Sequence, residues 1–156
     1  MVYRSRSGLG DKASCVGVFN DLRPYAEQLL EWRSGVVMPS LDWMAISIAW
    51  DGLETSAYHF TRRRNFYFEL EREWSERRGA NNPLGDRQEA IAAFKSAAPF
   101  VQQLRGLMER CPPFGRDYLA LMIALESLET TALHFTRVHS FYGATGDGAG
   151  PTRPAF

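Results

Sequence analysis

Histidine, cysteine and lysine are all scarce in this chain of 156 residues, and each scarcity removes a class of function. Cys15 and Cys111 are the only cysteines, too few for a disulfide framework or a zinc site of the CxxC kind. Two free, buried thiols in a reducing cytoplasm are expected instead. Three histidines, His59, His134 and His139, include no HExxH pair. Lysine occurs twice, at Lys12 and Lys95, so the other sixteen of the eighteen basic residues are arginine. Eighteen acidic residues balance them, and no net basic field marks a nucleic-acid or anionic-membrane binder.

Several motifs are missing as well. No apolar run approaches the roughly 18 residues of a membrane span, and "MVYRSRSGLGDKAS" lacks the apolar stretch of a signal peptide. No GxGxxG, P-loop or GxSxG pattern occurs, which leaves nucleotide binding and an elbow-type serine nucleophile without a motif. Strand-like alternation is absent, and an all-α chain is expected.

The chain does repeat itself. "LETSAYHFTR" begins at Leu53 and "LETTALHFTR" at Leu128, an offset of 75 residues. At the same offset Phe19 meets Phe94, Pro24 meets Pro99, Asp42 meets Asp117, Ala45 meets Ala120, and Phe66-Tyr67 meets Phe141-Tyr142. Each copy reads as a helical hairpin. The first helices run over about 13–33 and 86–110, each with a mid-helix proline that bends or breaks it. Pro39-Ser40 and Pro113 near Gly115 open the second and fourth helices. The expected fold is an all-α, four-helix-bundle-like single domain over 1–156, built by internal duplication with pseudo-two-fold symmetry. Repeat 1 covers about 13–78, a linker 79–85, repeat 2 about 86–143, and residues 144–156 form a flexible Gly/Pro-rich tail.

One asymmetry is expected. The second helix continues past Tyr67 through "FELEREWSERR", whereas its twin stops at Gly143. The stripe Tyr67, Leu70 and Trp74 on that overhang suits a partner, most simply a second copy of the chain.

On a helical wheel Ala45, Ile46, Ala49, Leu53, Ala57 and Phe60 share one arc, as do Ala120, Leu121, Ala124, Leu128, Ala132 and Phe135. These arcs are the expected core. Thr55, His59 and Arg62 lie on another face with Ile48 and Phe66, and Thr130, His134 and Arg137 repeat them with Ile123 and Phe141. Glu54 with Thr61, and Glu129 with Thr136, sit on a third.

Three readings of these retained polar residues compete. In the first, the stripes satisfy one another or meet a partner, with Glu54 and Glu129 in structural polar pairs. The protein is then a non-enzymatic, self-associating binding protein, dimeric and cytoplasmic, with no cofactor, nucleic acid or membrane. In the second, Thr55, His59, Arg62, Thr130, His134 and Arg137 bind a small anionic ligand, because a forked cation, an imidazole and a hydroxyl suit a carboxylate or phosphate. In the third, Glu54, His59, Glu129 and His134 hold metals for catalysis, but Glu and His five residues apart diverge by about 140° on a helix. No metal site is therefore assigned.

Overall fold

A computed structural model describes residues 6–76 and 84–143. Residues 79–83 of the expected 79–85 linker and the expected tail over 144–156 lie outside these residues. Among the described residues the chain is all-helical apart from one small hairpin, β1 (Arg6–Ser7) with β2 (Gly10–Asp11). That hairpin corrects the expectation of no strand. Its two-residue arms are too short for a period of two to show in the sequence.

Seven helices follow: α1 (Lys12–Asp21), α2 (Arg23–Ser34), α3 (Leu41–Thr61), α4 (Phe68–Ser75), α5 (Arg87–Ser96), α6 (Ala98–Glu109) and α7 (Arg116–Thr136). The expected first helix is broken after Asp21 into α1 and α2, and its counterpart after Ser96 into α5 and α6. Pro24 and Pro99 cause both breaks and sit in the first turn of the following helix, where a missing N–H costs little. A break leaves carbonyls of the preceding turn without a helical partner. The Tyr67 hydroxyl donates to the Phe19 carbonyl at 2.6 Å, and the Tyr142 hydroxyl donates to the Phe94 carbonyl at 2.7 Å.

α3 and α7 form the most extensive helix pair, and they run antiparallel. The end of α3 meets the start of α7 at His59 and Asp117, and the start of α3 meets the end of α7 at Asp42 and His134. Small residues let them close: Ala45, Ala49, Ala120 and Ala124 are buried between larger neighbours. Hydroxyls then lock the register. Ser56 Oγ donates to the Ala120 carbonyl, and Thr131 Oγ1 to the Ala45 carbonyl at 2.6 Å. α1 and α2 pack on α3, and α5 and α6 on α7. The core between them includes the stacked pair Tyr25–Phe100 and the tilted pair Trp32–Phe94. All six wheel positions expected in the core of α3 are buried, and so are their α7 counterparts except Phe135, which is half-buried.

The second helix does not continue past Tyr67, contrary to expectation. α3 stops at Thr61, Arg62 turns left-handed with φ 59°, and α4 starts afresh at Phe68. Nor does α4 overhang. Glu71 accepts a 2.8 Å hydrogen bond from Arg33, and α4 lies back on α2 with Leu70 buried. α7 likewise ends at Thr136, well before Gly143, with Arg137 left-handed at φ 60°. No described helix is long and apolar enough to cross a membrane.

Candidate functional site

The ten-residue block is a device for ending a helix and fastening it to the other half of the chain. Leu53, Ala57 and Phe60 point into the core. Thr61 Oγ1 donates to the Ala57 carbonyl at 2.7 Å and accepts from the Arg63 N–H at 3.2 Å, and so caps the last turn. Thr136 does the same, donating to the Ala132 carbonyl at 2.7 Å and accepting from the Val138 N–H at 3.2 Å. Arg62 and Arg137 follow in the left-handed conformation, each returning its N–H to a carbonyl at 2.9 Å, Tyr58 and Leu133 respectively. A left-handed residue after a helix is a common stop, usually glycine or asparagine. Here both are arginine.

Glu54 and Glu129 brace the turn that follows. Glu54 Oε1 accepts from the Tyr67 N–H and Glu129 Oε1 from the Tyr142 N–H, both at 3.3 Å. They are not paired with each other: each serves its own half. Burial raises the carboxyl of Glu54 to about 7, with the charges of Glu71 and Asp51 adding to it and the Tyr67 and Phe66 N–H groups opposing. Burial also raises Glu129, against hydrogen bonds from Tyr142 and Phe141 and the charge of Arg105.

His59 and His134 cross between the long helices. His59 Nε2 lies 2.8 Å from Asp117 Oδ1, and His134 Nε2 lies 2.8 Å from Asp42 Oδ1. The two pairs differ in cover. Asp117 Oδ2 also accepts the Gly8 N–H of the hairpin at 2.8 Å, and its side chain is 7% exposed against 52% for Asp42. Asp42 and Asp117 are site residues the sequence reading passed over, although both fell in the repeat match. A retained acid and a retained histidine were the available signal.

Thr55 and Thr130 are exposed on the outward side of α3 and α7, and Thr130 returns its hydroxyl to the Glu126 carbonyl at 3.0 Å. Arg62 and Arg137 are exposed at the helix ends. The structure therefore keeps each Thr/His/Arg set together along one helix but separates the two sets. Asp42 and His59 are 17 positions apart on α3, so His59 and His134 stand about 25 Å apart along the helix axes. Among the described residues, no group of three or more His, Cys, Asp or Glu side chains is gathered as a metal would need.

The same outward side carries apolar residues in matching places. Met44 is 57% exposed and Leu119, 75 positions later, 45%; Ile48 and its counterpart Ile123 are each 45% exposed. Leu41 extends the stripe at the start of α3.

The fold and this face define the chain as an all-α protein with a polar and apolar surface shared by two antiparallel helices. No family model matches it, and neither does any curated protein or solved structure.

Proposed function

We propose that the chain is a non-enzymatic, self-associating helical protein, and that the outward face of α3 and α7 meets the same face of a second copy. It is read as an internal duplication at an offset of 75, four helices in a bundle-like arrangement with α1–α2 and α5–α6 each counted as one bent helix. The recurring geometry supports that reading. Phe19 and Phe66 stand at 6.2 Å edge to face, as do Phe94 and Phe141, and the capping, tyrosine and glutamate contacts recur with nearly equal lengths.

A two-fold relating antiparallel helices runs perpendicular to the plane that contains them, so the outward residues of both lie on one side. The observation that carries the proposal is the exposure of Leu41, Met44, Ile48, Leu119 and Ile123, which helical spacing and the antiparallel pairing turn to a single face. Two copies of such a face are self-complementary, since an isologous interface uses the same patch on both subunits. Helices of 21 residues span about 31 Å, and two side by side are about 18–20 Å wide. The footprint is then about 600 Å² per copy, or roughly 1,200 Å² in all, at the lower end for a specific dimer. Thr55, His59 and Arg62 with Thr130, His134 and Arg137 border the apolar patch as its polar rim, the usual arrangement of an interface.

The small-anion reading has less support. A carboxylate already lies within hydrogen-bond distance of each histidine, and the two sets stand too far apart to close on one small ligand. A cytoplasmic setting belongs to the same proposal, in keeping with two buried free thiols. Sedimentation equilibrium tests it. The chain is expected to sediment as a dimer, and Ile48→Glu with Ile123→Glu as a monomer of unchanged helical circular dichroism.

A further inference from the structure

Among the described residues, the two halves carry equivalent grooves with different cover. In the first half, Leu30, Arg33, Met38 and Trp43, with Ser34 and Val36, line a cavity of about 260 Å³, and Trp74 and Ser75 of α4 form its other wall. Seventy-five positions later stand Arg105, Met108, Pro113 and Tyr118, and with Met122 and Leu125 these line a groove of about 610 Å³ along α6 and α7. Among the described residues that line it, none takes the place of Trp74.

We propose that the α6/α7 groove docks a short amphipathic helix of a partner protein, one with large apolar anchors at i and i+4 and basic residues flanking them. The first half shows what such an occupant looks like. α4 buries Leu70 and lays Trp74, four residues on, against the equivalent groove, with Glu71 bonded to Arg33. The second groove keeps the apolar bed but changes its charge. Arg33 gives way to Met108 and Leu30 to Arg105, so each groove keeps one arginine. The exposed Glu109 replaces Ser34 and adds a negative charge to the rim beside Glu126, which stands where the first half has Asp51. The one lining cation, Arg105, donates to the Gly143 carbonyl and neighbours Glu129. The rim is therefore acidic, and an acidic helix such as α4 itself is the wrong occupant. Met108 and Met122 supply unbranched, polarizable walls that adapt to an incoming aromatic side chain, and helix-in-groove docking reads such i, i+4 anchors.

The probe is a peptide spanning Tyr67–Glu76 with Glu69→Lys, Glu71→Lys and Glu73→Lys, compared with the unaltered peptide. Each is titrated into the isotope-labelled full chain while amide resonances are followed. The lysine peptide is expected to bind with a Kd on the order of 100 µM, because so short a helix must order as it binds. It should bind at least tenfold tighter than the acidic one, with shifts centred on Met108, Tyr118 and Met122. Met122→Lys, or Tyr118→Ala should the first variant melt early, should weaken binding at least tenfold. Ile48→Glu with Ile123→Glu should leave it unchanged, which separates this groove from the dimer face.

Three results would overturn the proposal. One is no saturable shift up to about 1 mM. Another is shifts mapping to α2 and α4 instead. The third is loss of self-association in Met122→Lys, which would assign the groove to a second copy of the chain.

Discussion

Gly52 lies against Ser127 so closely that a β-carbon on the glycine would stand 1.9 Å from the serine Oγ. The two residues are 75 positions apart and so correspond to each other. At this close approach only one of the two positions has room for a side chain. A mid-helix glycine normally costs about 1 kcal/mol relative to alanine, so Gly52→Ala ought to stabilise. Here the sign reverses. Gly52→Ala is expected to lower stability by about 2 kcal/mol through overpacking, and Ser127→Gly in the same chain should restore most of it. Urea unfolding of the two variants checks this.

The covered and open His–Asp pairs should differ in the same assay. Asp117→Ala removes the partner of His59 and of the Gly8 N–H at a buried site. A loss of about 2–3 kcal/mol is expected from the stranded groups. Asp42→Ala removes one exposed contact to His134 and should cost under about 1 kcal/mol. Equal losses would contradict the role given to the hairpin.

Three buried tyrosines make a second contrast. Tyr67 and Tyr142 donate to the carbonyls left at the two helix breaks, whereas the Tyr25 hydroxyl is buried with no partner among the described residues. Tyr67→Phe and Tyr142→Phe should each cost about 1 kcal/mol, because each removes a buried hydrogen bond. Tyr25→Phe should be neutral or stabilising, since it removes an unsatisfied polar group, and its counterpart Phe100 shows that phenylalanine fits. Thermal melts of the three variants decide it.

Glu54 makes stability depend on pH. Its carboxyl is raised from 4.5 to about 7 by burial, so the unfolded chain ionises first. The native state is favoured below about 4.5 and loses that advantage as pH climbs through about 7. The group is half-exposed and screened by solvent, so the loss is about 1–2 kcal/mol. Glu54→Gln keeps an oxygen for the Tyr67 N–H and has no charge to bury. At pH 8 it should melt about 3–6 °C above the parent, and the two curves should converge near pH 4.

Much of this architecture is legible in the sequence, and what is not has local causes. The offset of 75, the core arcs of the long helices and the proline breaks all follow from periodicity and the chemistry of Pro24 and Pro99. The stop after Thr61 does not, because a threonine hydroxyl and a left-handed arginine replace the glycine that usually announces a helix end. The return of α4 rests on Arg33 and Glu71, 38 residues apart, a separation no spacing rule covers. The repeated contacts also begin earlier than expected. Leu9 and Leu84 are both buried, and Asp11 and Asp86 each cap a helix through the N–H three residues on. That "LGD" match lies in loop-like sequence, where helical periodicity gives no guide. The Thr/His/Arg sets recur at the offset of 75, but one sequence does not reveal that antiparallel packing sends them to opposite ends.

Sedimentation equilibrium of the parent chain and of Ile48→Glu with Ile123→Glu tests the central claim most directly. The parent is expected to sediment as a dimer and the variant as a folded monomer. A parent that remains monomeric at about 100 µM, or a variant that stays dimeric, would contradict the role given to the α3/α7 face.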